Sequence, residues 1–224
     1  MSELHIDFVS PSVCALKCFR IYRRVKEPIG VVVFVQGLFE ELNQNRHAFK
    51  QQAEHLANAG FNSVILDYPG CGDSEGELTD VSLSLWQAYL LESVKYIKRE
   101  SNLPTSLVVF GSGAITLTDE VITLCRYIQL WHPEFSGKRV LKQLSRIALL
   151  NQIPVDESQE LIDASGYLIP QSMWQSFKAI PLPEFFNEQK KFDWLELIDT
   201  VEQKTPSVRG KMAQAIFGDE FSIT

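Results

Sequence analysis

Three short apolar runs, each followed by a segment with helical periodicity, dominate the first 130 residues. The clearest run, residues 30–35 (Gly-Val-Val-Val-Phe-Val), is apolar without alternation, as expected for a strand buried on both faces of a parallel sheet. The runs at 62–66 and 106–110 predict two more such strands. The sequence therefore predicts an α/β fold in which helices cover both faces of a mostly parallel sheet over about residues 29–130.

The helical segments between these runs each present one apolar face. In the first, a polar stretch at 40–46 precedes four apolar residues on one face (Phe49, Ala53, Leu56 and Ala57), and Gly60 suits the helix end. A second helix is predicted over about 82–100, and a third after Gly113 that runs through the apolar positions 115–125.

The two ends of the chain differ from this central pattern. Residues 2–25 predict a leading antiparallel pair of strands, and 192–198 and 205–217 predict a further strand and a last helix. Between about 131 and 190 we predict a helical cap made of three amphipathic pieces (138–150, 156–164 and 171–180) that prolines and Gly166 separate. We treat 1–224 as one domain with this cap inserted.

Composition and charge narrow the classes of function. The chain has 224 residues, 45% hydrophobic and 22% charged, which is typical of a globular protein. The net charge of −7 gives no electrostatic reason to bind nucleic acid, and no apolar run is long enough to span a membrane. Residues 1–10 lack the features of a secretory signal, and the four cysteines form no CxxC pair or zinc spacing. We therefore expect a cytoplasmic protein with reduced thiols, no metal and no cofactor.

The turn Gly111-Ser112-Gly113 follows the third buried run and precedes a helical pattern. A phosphate-binding loop is disfavoured because Thr116 replaces the last glycine of G-x-G-x-x-G and no P-loop lysine follows. The alternative is the nucleophile elbow G-x-S-x-G of α/β-hydrolases. If Gly111 is its first glycine, Gly113 takes the nucleophile position; if Ser112 is the nucleophile, Phe110 takes a position that needs a small residue. We favour the first alignment, which removes the nucleophile.

The histidines point the same way. In the α/β-hydrolase order the histidine follows the last strand, but no histidine follows His132 in this chain. Either His132 reaches the site from the cap, or it is a surface or packing residue, which we favour.

Four segments in this order resemble the exosortase A system-associated hydrolase 2 family. They are FEELNQNR (39–46), GCGDS (70–74), WHPEFSGK (131–138) and ASGY (164–167). The resemblance implies an α/β-hydrolase fold, for which the C-terminal part is short, and a bacterial setting beside exopolysaccharide and protein-sorting genes. The name "hydrolase" of that family rests on fold.

Two hypotheses about function remain open. In the first, the chain hydrolyses an ester or thioester of a small acyl or carbohydrate-linked substrate: Ser112 attacks, and the backbone amides of Leu38 and Gly113 hold the oxyanion. In the second, the chain is a binding or scaffold protein that has lost catalysis. We expect a small-molecule or carbohydrate-linked ligand and leave a homodimer open.

Four polar residues that follow the buried run at 30–35 are candidates for ligand binding, because ligands bind at the carboxyl ends of parallel strands. They are Glu40, Glu41, Asn43 and Arg46. The alternative is that they cap the following helix and pair with one another.

Overall fold

The computed structural model describes residues 2–181 and 192–195. Its strands are β1 (Glu3–Val9), β2 (Cys18–Arg24), β3 (Gly30–Val35), β4 (Phe61–Leu66), β5 (Thr105–Phe110), β6 (Ile128–Trp131), β7 (Leu161–Ala164), β8 (Tyr167–Pro170) and β9 (Phe192–Leu195). Seven of them form one sheet in the order β1-β2-β4-β3-β5-β6-β9. Within this sheet, strands β4, β3, β5, β6 and β9 run parallel to one another, whereas β1 and β2 are antiparallel to their neighbours.

The three predicted buried strands are confirmed as β3, β4 and β5. All residues of β3 and β4 are buried, because helices pack on both faces of the sheet, and so are those of β5 up to Val109. The predicted antiparallel pair within residues 2–25 is confirmed as β1 and β2. The strand predicted at 192–198 is present as β9 over its described residues.

The helices are α1 (Glu40–Asn58), α2 (Leu83–Ser101), α3 (Asp119–Leu124), α4 (Gly137–Leu150) and α5 (Gln171–Ala179). The polar stretch at 40–46 is the first two turns of α1 rather than a loop before it. Helix α2 begins where predicted, because the side chain of Ser82 accepts a hydrogen bond from the backbone N–H of Leu85 at 3.1 Å.

The long third helix predicted after Gly113 is wrong. The chain instead forms a 3-10 helix at Gly111–Thr116, becomes extended at Leu117 and resumes as the short helix α3. The apolar periodicity misled because the whole 3-10 segment is buried, so its apolar residues do not mark one helix face.

The cap is helical only in part. Helices α4 and α5 match two of the predicted pieces, but the predicted helix at 156–164 is wrong, because its end forms the antiparallel hairpin β7–β8. Along β7, exposed and buried residues alternate with a period of two, and Ser165 and Gly166 turn the chain with positive φ values of 63° and 90°. Residue 131 belongs to strand β6 rather than to the cap.

Three predictions fall partly or wholly outside the described residues: the cap beyond residue 181, the strand beyond Leu195 and the helix at 205–217. None of the helices in the described ranges is long and apolar enough to cross a lipid bilayer.

Candidate functional site

The turn after β5 has its one left-handed backbone conformation at Gly111. The φ angle of Gly111 is 52°, whereas Ser112 and Gly113 have no positive φ. A strained strand-to-helix turn presents the side chain of its positive-φ residue. This places Gly111, which has no side chain, at the point of the turn and gives an alignment that differs from both of those weighed from the sequence.

The carboxylate of Glu41 lies where a side chain on residue 111 would project. A Cβ built on Gly111 would overlap Glu41 Oε2 and lie 2.8 Å from its Cδ, and a Cβ on Gly37 would lie 2.6 Å from Glu41 Cβ. Real Cβ atoms do not approach so closely, so the two glycines make the space that Glu41 fills. Glu41 itself belongs to the first turn of α1, where the helix dipole favours a negative charge.

Ser112 is bound to this carboxylate through both its backbone and its side chain. Its backbone N–H and its hydroxyl donate to Glu41 Oε2, with donor–acceptor distances of 2.7 and 2.6 Å. The backbone N–H of Leu38 in turn donates to Ser112 Oγ at 2.8 Å. Hydrogen bonds to a carboxylate are stronger than neutral ones, so this arrangement holds α1 and the end of β3 against the turn.

The predicted site residues around the turn therefore meet, but with partners that the sequence did not name. The sequence assigned the Leu38 amide to an oxyanion, and in the structure this amide donates to the Ser112 hydroxyl. Gly113 is buried in the 3-10 helix, and its carbonyl accepts a hydrogen bond from Thr116 Oγ1 at 2.7 Å. The amide that reaches the carboxylate is that of Ser112.

Helix α4 covers the turn. The space left beside Ser112 and Glu41 has a volume of only about 10 Å³ and is bounded by Val140, Gln143 and Leu144 of that helix. The Ser112 residue is 1% exposed. A substrate therefore has no room at the Ser112 hydroxyl unless α4 moves.

His132 is exposed, and its ring faces Phe110 with centroids 6.4 Å apart. Within the described residues, the side chain that hydrogen-bonds to the Ser112 hydroxyl is a carboxylate, not an imidazole.

Arg46 binds two aspartates of the loop after β4 rather than a neighbour on α1. Its guanidinium donates to Asp73 at 2.6 Å and to the buried carboxylate of Asp67. Asp67 also accepts from the side chain of Gln36 and, at 2.9 Å, from the backbone N–H of Asp73. Burial raises the pKa of Asp67 above its ordinary value, although these donors favour the charged form. Arg46 therefore joins α1 to the β4 loop and does not line the cavity described next.

A cavity of about 550 Å³ lies between α1, the loop after β4 and the β7–β8 hairpin. Its lining residues include two aromatic rings, three leucines and three polar side chains: Phe39, Leu42, Asn43, Glu77, Leu78, Thr79, Tyr167 and Leu168. Asn43 is thus the predicted ligand-binding residue that lines it. Glu40 lies beside it and accepts a hydrogen bond from the Tyr167 hydroxyl at 3.3 Å.

Cys71 also lines this cavity, between Gly70 and Gly72. Burial raises the pKa of its thiol to about 12, so the sulfur carries a proton at neutral pH and is a poor nucleophile.

Two features of the site were missed from the sequence. Gly111 could have been suspected as the positive-φ residue, since glycine is the residue that tolerates this backbone conformation best. Tyr167 belongs to the segment ASGY, and its ring packs edge-on against Phe39 with centroids 5.6 Å apart. No local pattern signals that contact.

Comparison with known proteins supports the fold. A family model described as the alpha/beta hydrolase fold matches residues 30–112. No functionally curated protein matches the chain. Est1E from Butyrivibrio proteoclasticus, solved with ferulic acid bound, has a similar structure with a TM-score of 0.62 and 16% identity over 79% of this chain and 72% of its own.

Two further structures extend the comparison. A hypothetical protein from Pseudomonas aeruginosa has a TM-score of 0.53 and 11% identity over 82% of this chain and 73% of its own. A predicted CIB-like hydrolase from Thermoplasma acidophilum has a TM-score of 0.44 and 14% identity over 59% of this chain. The chain spans 64% of the length of that last protein. The chain has the α/β-hydrolase fold, with a mostly parallel sheet flanked by helices.

Proposed function

We propose that this protein is a non-catalytic relative of the α/β-hydrolases, which binds a ligand without hydrolysing it. The observation that carries the proposal is the Glu41 carboxylate, which fills the place of a nucleophile on residue 111 and binds the Ser112 backbone N–H. In an α/β-hydrolase, the amide after the nucleophile and one from the loop after the third strand hold the oxyanion. Here both corresponding amides already have partners. The Ser112 amide donates to Glu41, and the Leu38 amide donates to the Ser112 hydroxyl.

The hydrolase hypothesis requires that the Ser112 hydroxyl be free of its present hydrogen bonds and accessible to a substrate. For Ser112 to attack an ester, its hydroxyl must leave Glu41 and Leu38, and α4 must open a space that now measures about 10 Å³. These requirements favour binding over turnover.

The ligand that we propose is a neutral molecule rich in hydroxyl groups, bound in the 550 Å³ cavity. Aromatic and aliphatic surfaces line it together with Asn43, Glu77 and Thr79, which can exchange hydrogen bonds with hydroxyl groups. The residues that line this cavity include no lysine, arginine or histidine that would attract an anionic ligand. The nearby Arg46 is paired with Asp67 and Asp73. A carbohydrate-linked ligand fits this chemistry. It also fits the resemblance to the exosortase-associated family, from which we take a role in a bacterial exopolysaccharide or protein-sorting system.

A serine-reactive probe tests the absence of catalysis. We expect that a fluorophosphonate does not label the wild-type chain, and that short-chain p-nitrophenyl esters are hydrolysed no faster than with the Ser112→Ala variant. The matched control is Ser145→Ala, since Ser145 donates to a backbone carbonyl of its own helix α4. Labelling or ester hydrolysis that Ser112→Ala abolishes and Ser145→Ala retains would contradict the proposal and support Ser112 as the nucleophile.

A further inference from the structure

Strand β1 forms one end of the seven-stranded sheet. It pairs with β2 along all seven of its residues, from Glu3 opposite Arg24 to Val9 opposite Cys18. Its other edge has no strand beside it in the described part of the chain. Unpaired backbone groups of such length invite another strand unless side chains protect the edge.

The side chains of β1 separate into an apolar face and a polar face. Leu4, Ile6 and Phe8 point to one side of the sheet and are 50%, 60% and 54% exposed. Leu4 and Ile6 continue into a groove of about 380 Å³ between β1, β2, β4 and α1, which apolar side chains line together with basic residues such as Arg23 and Lys50. The other face carries Glu3, His5, Asp7 and, at its end, Val9. Three neighbouring apolar side chains that remain half exposed indicate an interaction surface.

We propose that two copies of this chain pair through β1, antiparallel, about a two-fold axis that is perpendicular to the sheet and passes at Ile6. Ile6 then faces Ile6 of the second copy, and Leu4 faces Phe8 on the same side. On the polar side His5 faces Asp7, whose carboxylate accepts two hydrogen bonds from Arg20 of its own chain at 2.7 and 2.8 Å, and a ring N–H of the histidine adds a third to the same carboxylate. The two sheets become one continuous sheet.

The sequence of β1 selects this register over its neighbours. A perpendicular two-fold axis keeps each face on its own side, so the axis can pass at residue 5, 6 or 7. At residue 5 it would place Glu3 opposite Asp7, and at residue 7 it would place Asp7 opposite Asp7. Like charges directly opposite each other destabilise a strand pair, whereas the axis at Ile6 places no like charges opposite each other: His5 faces Asp7, Leu4 faces Phe8, and Glu3 faces Val9.

A cysteine at the axis tests the register directly. In Ile6→Cys, the two introduced thiols face each other, and we expect a disulfide-linked dimer under mild oxidation, with the residue 6 peptide joined to itself in mass spectrometry. In the control Leu4→Cys, the two thiols lie four residues apart along the strands, roughly 13 Å, which is too far for a bridge. Equal crosslinking of both variants, or none in Ile6→Cys, would overturn the proposal.

Charge exchange supplies a second test on the chain with its own cysteines. His5→Asp places two aspartates opposite each other at both ends of the pair, and we expect dimerisation weaker by roughly tenfold in sedimentation velocity. The double variant His5→Asp with Asp7→His restores the pairing with its partners exchanged and should recover part of the loss, since it also removes the ion pair of Asp7 with Arg20. A monomeric wild-type chain, or a dimer that Ile6→Lys leaves intact, would refute pairing through β1. Because these measurements concern β1 alone, their outcome is independent of whether Ser112 is catalytic.

Discussion

Among single residues, Gly111 and Glu41 define the candidate site, because the side chain of one fills the space that the other leaves empty. Gly111 occupies the strained point of the turn without a side chain, and Glu41 supplies a carboxylate to the same place from α1. Ser112 then binds the carboxylate twice instead of facing a cleft. The backbone N–H groups of Leu38 and Ser112 and the Ser112 hydroxyl thus all have hydrogen-bond partners within the protein.

A double-mutant cycle tests whether Glu41 fills the space that Gly111 leaves. We expect Gly111→Ala to lower the free energy of unfolding by about 3 kcal/mol, because the new Cβ must adopt a positive φ and displaces the Glu41 carboxylate. In a Glu41→Ala background the displacement disappears, and the same change should cost only about 1–2 kcal/mol. Urea denaturation of the four proteins measures the coupling.

Glu40→Ala is the matched control for that cycle. Glu40 is the preceding residue of α1 but is exposed and bonds to Tyr167 rather than to the turn. Its effect should add to that of Gly111→Ala without coupling. Additive effects of Glu41→Ala and Gly111→Ala would show that the carboxylate does not occupy the side-chain position.

At the scale of elements, α1 is fixed at its start by two carboxylate systems. Glu41 ties it to the turn after β5, and Arg46 ties it to the loop after β4 through Asp67 and Asp73. Both attachments lie at the carboxyl ends of parallel strands, where open α/β sheets bind their ligands. Two of the residues predicted as ligand contacts, Glu41 and Arg46, therefore hold helix α1 in place.

Removing the arginine should make stability depend on pH. Arg46→Met leaves the buried Asp67 carboxylate without its cation, and we expect a loss of about 2 kcal/mol at neutral pH, moderated by the partial exposure of Arg46. The pKa of Asp67 is raised in the folded state, so the folded state binds the proton more readily than the unfolded state. The penalty should therefore shrink as pH falls through the folded-state pKa and grow as pH rises.

The measurement is denaturant unfolding of wild type and variant from mildly acidic to mildly alkaline pH. Lys50→Met, which removes an exposed cation one turn further along α1, is the control and should show little such dependence. A destabilisation by Arg46→Met that grows towards acidic pH would contradict the assignment to Asp67.

At the scale of the whole molecule, the cap closes one site and forms another. Helix α4 reduces the space over Ser112 to about 10 Å³, while the β7–β8 hairpin bounds the cavity of about 550 Å³ beside it. The cavity that we propose for the ligand is therefore distinct from the space at the turn after β5, with Phe39 lining both.

Filling the cavity tests the proposed ligand class. We expect neutral disaccharides to give saturation-transfer NMR signals with the wild-type chain, and Leu168→Trp to abolish them because the indole fills the space. Leu149→Trp, at an exposed position of α4 that does not line the cavity, is the control and should bind as the wild type does. Binding that survives Leu168→Trp, or a preference for uronic acids over neutral sugars, would contradict the proposal.

The order of buried strands and covering helices follows from the amino-acid sequence. Hydrophobic runs such as that of β3 and caps such as Ser82 are local signals, and each acts on a few neighbouring residues. Local signals fail where two structures share one pattern. The sequence of β7 resembles the end of an amphipathic helix, and the apolar residues of the buried 3-10 segment after Phe110 resemble the start of one.

The composition of the site, in contrast, follows from contacts between distant parts of the chain. Glu41 and Ser112 are 71 residues apart, and the Tyr167 hydroxyl and Glu40 are 127 apart, so no spacing in the sequence records that they meet. The backbone angle of Gly111 likewise follows from how β5, α1 and α4 pack around it. Strand and helix formation depends on neighbours along the chain, whereas the chemistry of a side chain depends on which distant groups the packed core brings within hydrogen-bonding distance.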